Sequence, residues 1–336
     1  MGSTSSSPLR YTTKSPLRCK ASNDKAHEKS QETFATQPSQ LEQVLNERQA
    51  SVLMKMNIEA MKLSTLGEKE LLSRLTKAKL KKIASYIQHR SDIIVHLFLD
   101  KLIEDFMKDE DGRYKNLFET GKGNGSNCQL TRKRWEDRLF FDGYSDAEPY
   151  ERVKYGCLNI GNDASGVASA YQYGDSFFIL NNDTVRWRAT LSDGDTANPK
   201  RAVGTFSACY HVIQKFTDDE LNNIYKKADP TINELTSMID EPEVGELNDN
   251  FNEYGEIFTM KEVQVHGILR FKEDIKILVV SKRHTTPNFL ESSGNRSASS
   301  EISRTSRDSS SSFDQSLLDK TRKFCEFYDI ELKLQE

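Results

Sequence analysis

The sequence predicts an α+β fold, in which a helical N-terminal region precedes a strand-rich domain. Three observations carry this. From about Gln40 to Lys108, apolar residues recur at intervals of three and four, the period of a helix with one buried stripe. From Tyr114 onwards the texture changes to short β-rich runs separated by Gly, Asn and Asp. The chain then closes on SLLDKTRKFCEFYDIELKLQE, a helix followed by an alternating strand, the kind of terminus that completes a sheet. With 336 residues, 36% of them hydrophobic, there is enough apolar side chain for one large or two modest cores.

Residues 1–40 are rich in Ser, Thr, Lys and Gln and nearly free of large aliphatics, so they are predicted to be a disordered leader. Residues 41–110 read as the helical region, built from LEQVLNERQASVLMKMNIEAMKL, EKELLSRLTKAKLKKIASYI and SDIIVHLFLDKLIEDFM. Thr65 and Glu68 have the capping-box spacing expected at the start of the second helix. His89 and His96 fall within these helices and are assigned no chemistry. Residues 111–336 read as one mixed domain, with strands in KYGCLNI, YGDSFFIL, VRWRATL and EIFTMKEVQVHGILRF. A helix over FTDDELNNIYKK is interrupted at Asp229-Pro230, and the Ser/Arg-rich stretch 291–313 is predicted to be a mobile loop.

The charge balance, 47 Lys and Arg against 51 Asp and Glu, leaves no basic footprint for nucleic acid or for an anionic membrane. No run of about 18 apolar residues predicts a membrane span, and MGSTSSSPLRYTTKSPLRCK lacks the apolar centre of a cleavable signal peptide. Met1-Gly2 with Ser6 fits the loose N-myristoylation pattern, as do many flexible termini. The five cysteines are odd in number and scattered, without a CxxC pair, so reduced thiols are expected and no metal site is.

Several short motifs carry possible chemistry. ETGKGNGS, residues 119–126, is a Gly-rich turn whose N–H groups could cradle phosphate, although its Lys is misplaced for a nucleoside-triphosphate loop. Arg152 precedes an apolar strand, where a guanidinium could meet a carboxylate or a pyrophosphate, or simply face solvent. Ser176 leads the aromatic strand SFFIL, which could line a nucleotide or a core, and TLSDGDTA reads as a turn. In MKEVQVHG, alternation puts Glu262, Gln264 and His266 on one face of a strand and Val263 and Val265 on the other. Neighbours on the polar face stand about 6.5 to 7 Å apart, roughly the size of a ribose. A carboxylate there could hold a sugar hydroxyl and stabilise an oxocarbenium-like transition state. The wet face of an edge strand accounts for the same pattern.

In order, FETGKGNGS, RWEDRLF, ERVKYGCLNI, SFFIL, EVQVHG and FCEFYDIELKLQ resemble a bacterial family with the ADP-ribosyltransferase fold. They also resemble bacterial effectors that transfer ADP-ribose from NAD onto a threonine of host ubiquitin. The resemblance covers roughly Tyr114 to Glu336. It implies two packed mixed or antiparallel sheets with NAD as co-substrate in the cleft between them, no metal, and a monomer. It further implies export without a cleavable signal and action in the host cytosol on a protein partner, ubiquitin.

Carried over residue by residue, the resemblance implies that Glu119, Thr120, Asn124, Arg152, Tyr155, Ser176 and Phe178 bind NAD. Arg134 and Arg138 compete with Arg152 for the role of the NAD-fixing arginine. Catalysis would fall to Glu262, with Gln264 and His266 orienting the acceptor or taking its proton. The usual Glu-x-Glu or Gln-x-Glu is replaced here by Glu262-x-Gln264, which leaves Glu119 as an alternative acid and argues against arginine as acceptor. An NAD glycohydrolase and a non-enzymatic binding module are the two rival readings.

Overall fold

The computed structural model describes residues 44–121, 129–229, 258–284 and 315–335. The described residues all belong to one compact unit, Glu42–Glu336. The predicted leader 1–40, the loop 291–313 and Asn124 lie outside the described residues.

Helix α1 runs over Glu47–Arg74 and α2 over Lys77–His89. Asn46 starts α1 with a reciprocal capping box, its Oδ1 accepting from Gln49 N and Gln49 Oε1 accepting from Asn46 N, both at 2.9 Å. Thr65 and Glu68 begin nothing. The Thr65 hydroxyl turns back onto the Met61 carbonyl at 3.3 Å, and α1 continues unbroken to Arg74. The break comes instead at Thr76, whose side chain caps α2.

Gly67 explains why α1 passes straight through that point. A Cβ there would stand 2.4 Å from the backbone N and 2.5 Å from the Cα of His211, so the helix lies directly against the short helix Tyr210–Ile213. Gly67→Ala should therefore lower the melting temperature, by about 1 to 3 kcal/mol of stability. This outweighs the roughly 1 kcal/mol that Ala ordinarily gains over Gly in a helix. A melting temperature at or above that of the wild type would show that this contact is loose.

Within the stretch read as helical, SDIIVHL forms a strand, β1 (Asp92–Leu97), before α3 (Leu99–Lys108) resumes the helical pattern. The reason is physical. Ile93, Ile94 and Val95 are β-branched and buried on both faces, so the run shows no alternation that would separate it from a buried helix. Short one-turn helices aside, the strands and helices that follow are β2 (Arg113–Tyr114), α4 (Gln129–Leu139), β3 (Lys154–Asn159), β4 (Ser176–Leu180), β5 (Ala189–Ser192), β6 (Val203–Thr205), α5 (Asp218–Ala228), β7 (Glu262–Val265), β8 (Leu269–Arg270), β9 (Ile275–Val280), α6 (Gln315–Tyr328) and β10 (Glu331–Leu334).

The fold is α+β. One mixed sheet has the order β10-β9-β4-β1-β3-β7-β5-β6, antiparallel except where β10 lies parallel to β9, and β2 pairs with β8 in a small second sheet. The closing strand β10 extends the sheet edge, as the terminal pattern predicts. Phe106, Phe178, Phe271 and Phe324 meet edge-on or tilted in the main core, with ring centroids 5.0 to 6.3 Å apart. Strand β7 sits inside the sheet between β3 and β5, not at an edge. Val263 and Val265 join the main core, and the opposite, polar face of β7 is covered as well, Phe140 meeting His266 edge-on at 5.2 Å.

Candidate active site

A cavity of about 720 Å³ opens beside β3 and β7, a size common for small-molecule sites. The large sheet contributes Tyr155, Cys157 and Glu262, the small sheet contributes Arg113 and Tyr114, and Arg132 reaches in from α4. Among the described residues, six Lys or Arg side chains (101, 108, 113, 115, 132, 154) line it against four Asp or Glu (105, 109, 119, 262). The excess of two cations favours an anionic ligand.

Glu262 is the chemically distinctive group. Its Oε1 accepts from the Thr196 hydroxyl and, at 2.8 Å, from Gln264 Nε2. Among the described residues no hydrogen bond falls on Oε2, which leaves that oxygen for the cavity that Glu262 lines. Burial pushes the carboxyl up to about 7, against the pull of Thr196 and Gln264. A group that titrates near neutrality in a cleft has the property expected of an acid, base or electrostatic partner. Thr196 lies in TLSDGDTA, a run that reads as a turn and in fact supplies both the end of β5 and this donor.

Arg132 stands close by, its guanidinium 4.6 Å from the centre of the Tyr155 ring. Its Nε is buried without a hydrogen-bond partner, an orphan donor that a phosphate or carbonyl oxygen of a ligand would satisfy. Sequence reasoning missed Arg132 because three other basic residues crowd the same helix. Only its place in the fold separates it from Lys133, Arg134 and Arg138.

Of the residues expected to bind NAD, Glu119, Thr120 and Tyr155 do line the cavity. Glu119 is committed to structure, however. Its Oε2 accepts from Asn116 N at 3.0 Å and its Oε1 from Arg113 Nη1 at 2.5 Å, so both oxygens already hold the turn that carries them, where Glu262 keeps one oxygen without a donor among the described residues. Arg152 does not line the cavity. It is buried, donating to Glu136 Oε2 at 2.6 Å and to the Tyr144 carbonyl at 2.7 Å, and it stacks on Phe118. Ser176 is equally withdrawn, its Oγ accepting from Ser281 N at 3.0 Å, and Phe178 belongs to the aromatic core. Of the competitors, Arg138 donates to the Thr196 carbonyl and Arg134 is exposed.

The catalytic row divides in the same way. Gln264 and His266 follow Glu262 along one face, as alternation predicts, but they lie beneath the protein surface and do not reach the cavity. His266 is fully buried, and burial pulls it down to about 3. A neutral imidazole without access to the cavity cannot take a proton from an acceptor there. One further buried group lines the cavity: burial pulls Lys154 down to about 7 while its Nζ donates to the Tyr150 and Gly267 carbonyls at 2.9 Å each.

Among the described residues, no group of three or more His, Cys, Asp or Glu is placed to hold a metal ion, and no helix is long and apolar enough to cross a membrane. A family model described as "Protein of unknown function (DUF3626)" matches residues 93–297, more than half of the chain. The match spans every cavity-lining residue, from His96 to Glu262. No curated protein matches the chain.

Proposed function

We propose, on the premise that the chain belongs to the DUF3626 family, that it is an NAD-dependent mono-ADP-ribosyltransferase whose acceptor is a protein hydroxyl, a threonine of ubiquitin. One observation carries the reading: Glu262 lines a cation-rich cavity with one oxygen that accepts no hydrogen bond from the described residues, while its other oxygen is fixed by two donors. In NAD the bond between ribose and nicotinamide would break, its electron pair leaving with nicotinamide. Positive charge developing on the ribose would face the Glu262 carboxylate. The acceptor oxygen would bond to the same carbon and release its proton. Arg132 would meet a phosphate, with the Tyr155 and Tyr173 rings nearby as apolar wall. As an effector of this kind, the protein would act in the host cytosol.

NAD hydrolysis is the second reading, and one feature favours it. Glu262 is only 8% exposed, so water reaches it more readily than a side chain held on another folded protein. Purified full-length chain should be incubated with adenylate-labelled NAD, with and without ubiquitin, and assayed for released nicotinamide, free ADP-ribose and label on protein. Label on ubiquitin is the expected result. Free ADP-ribose alone decides for hydrolysis. Absence of nicotinamide release, together with no effect of NAD on the melting temperature, overturns both.

A further inference from the structure

Behind Glu262 the polar face of β7 continues inward as a line of hydrogen bonds. Tyr144, His266, Thr190 and Gln264 are all fully buried, and each touches the next. The Tyr144 hydroxyl meets His266 Nδ1 at 2.8 Å, His266 Nε2 meets Thr190 Oγ1 at 3.4 Å, Thr190 Oγ1 meets Gln264 Oε1 at 2.7 Å, and Gln264 Nε2 meets Glu262 Oε1 at 2.8 Å.

Donor and acceptor counting fixes the direction of every bond. A carboxylate only accepts, so Gln264 donates with its amide nitrogen and presents its oxygen to Thr190. Thr190 has one proton, which goes to that oxygen, so its own oxygen accepts from His266 Nε2–H. The neutral imidazole then has a bare Nδ1, which accepts from the Tyr144 hydroxyl. All four bonds donate toward Glu262. Such a chain polarises each member in turn, and its weakest joint is the 3.4 Å contact.

We infer that Tyr144, His266, Thr190 and Gln264 are positioning residues, a one-way hydrogen-bonded chain that holds Glu262 Oε1 and so aims Oε2 into the cavity. Calling them positioning residues for catalysis rests on the proposed function; their hold on Glu262 does not. The other groups facing Glu262 are Thr196 and Asp195 from the segment after β5, Arg132 from α4, Tyr155 and Cys157 from β3, and Tyr173. None of these donates to it through the chain. Loss of the chain should leave the ionised carboxylate less supported, so Glu262 should titrate at higher pH.

The test follows Glu262 itself, in ligand-free full-length protein, by carboxyl-carbon NMR of labelled glutamate, with Glu262→Gln identifying the signal. Gln264→Met keeps the volume and removes the donor. It should raise the midpoint by about one pH unit, the equivalent of a charge-assisted hydrogen bond, so that the ratio of ionised to protonated carboxyl falls about tenfold at any pH. Thr190→Val should move it the same way by less, and Thr190→Ser, which keeps the hydroxyl, should restore it. If NAD is turned over, the acid limb of kcat should move with the midpoint while KM stays near wild type. Where Gln264→Met does not fold, the Thr190 pair decides alone. Midpoints unchanged in Gln264→Met, or equal in Thr190→Val and Thr190→Ser, overturn the chain. A moved midpoint in a protein that leaves NAD intact upholds the chain and removes only the proposed function.

Discussion

Glu262→Gln is expected to slow nicotinamide release from NAD by about 10² to 10³-fold while leaving NAD affinity within a few-fold of wild type. The loss is that of one fixed charge facing developing positive charge, which matters in the transition state and little in the ground state. The substitution is nearly isosteric. The oxygen of the new amide can still accept from Thr196 and Gln264, so the local geometry survives. Stability should follow the opposite sign. Burial raises the folded-state carboxyl to about 7, above its unfolded value, so the wild type loses stability as pH rises from the ordinary carboxylate range through 7. The amide does not titrate. At pH 8 the variant should therefore melt at or above the wild-type temperature while being nearly inactive. Equal loss of NAD binding and of turnover would assign Glu262 to ground-state binding instead, and full activity would remove the carboxylate from the chemistry.

How far the sequence reveals this site depends on which periodicities act locally. The alternation of MKEVQVHG fixes which side chains share a face, and the structure keeps that face together from Glu262 to His266. It does not say what covers the face. Phe140 and Tyr144, more than a hundred residues away, seal His266 from solvent, and a period of two carries no trace of them. The same limit hides Thr190 and Thr196, because a hydroxyl that reads as turn chemistry becomes a carboxylate donor only once β5 lies beside β7. Strand β1 fails for a different reason: a run buried on both faces has lost the alternation by which a strand is recognised. The helix-to-strand transition, the closing strand and the core valines are legible because each is set by contiguous residues. Arg132 and Arg152 show the limit most sharply. Both are arginines close to aromatic residues, and only tertiary placement decides which one meets a ligand.

That placement predicts opposite outcomes for the two arginines. Arg132→Ala should weaken NAD binding by about 10- to 100-fold, the range of one lost charge-assisted hydrogen bond, and should barely move the melting temperature, since its Nε has no hydrogen-bond partner to abandon. Arg152→Ala should unfold the protein more readily, because it strands Glu136, a side chain with no solvent exposure. Breaking a buried pair on one side costs about 3 to 5 kcal/mol. The cost here should depend on pH. Burial already pushes Glu136 up to about 7 despite the opposing pull of Arg152 and Tyr155, and removing the guanidinium raises it further. A carboxyl whose folded value lies above its unfolded value gives up stability as pH rises between the two and none below the lower one. The Arg152→Ala penalty should therefore be small near pH 4, where folded Glu136 is protonated in both proteins, and should grow once pH passes 7, so that it is already larger at pH 8 and complete only above the variant's raised value. Melting curves at the two pH values, with an NAD titration at the higher one, separate the cases. An Arg152→Ala protein that melts like the wild type at pH 8 but no longer binds NAD would return the anchoring role to Arg152, and with it the arrangement that the sequence resemblance implies.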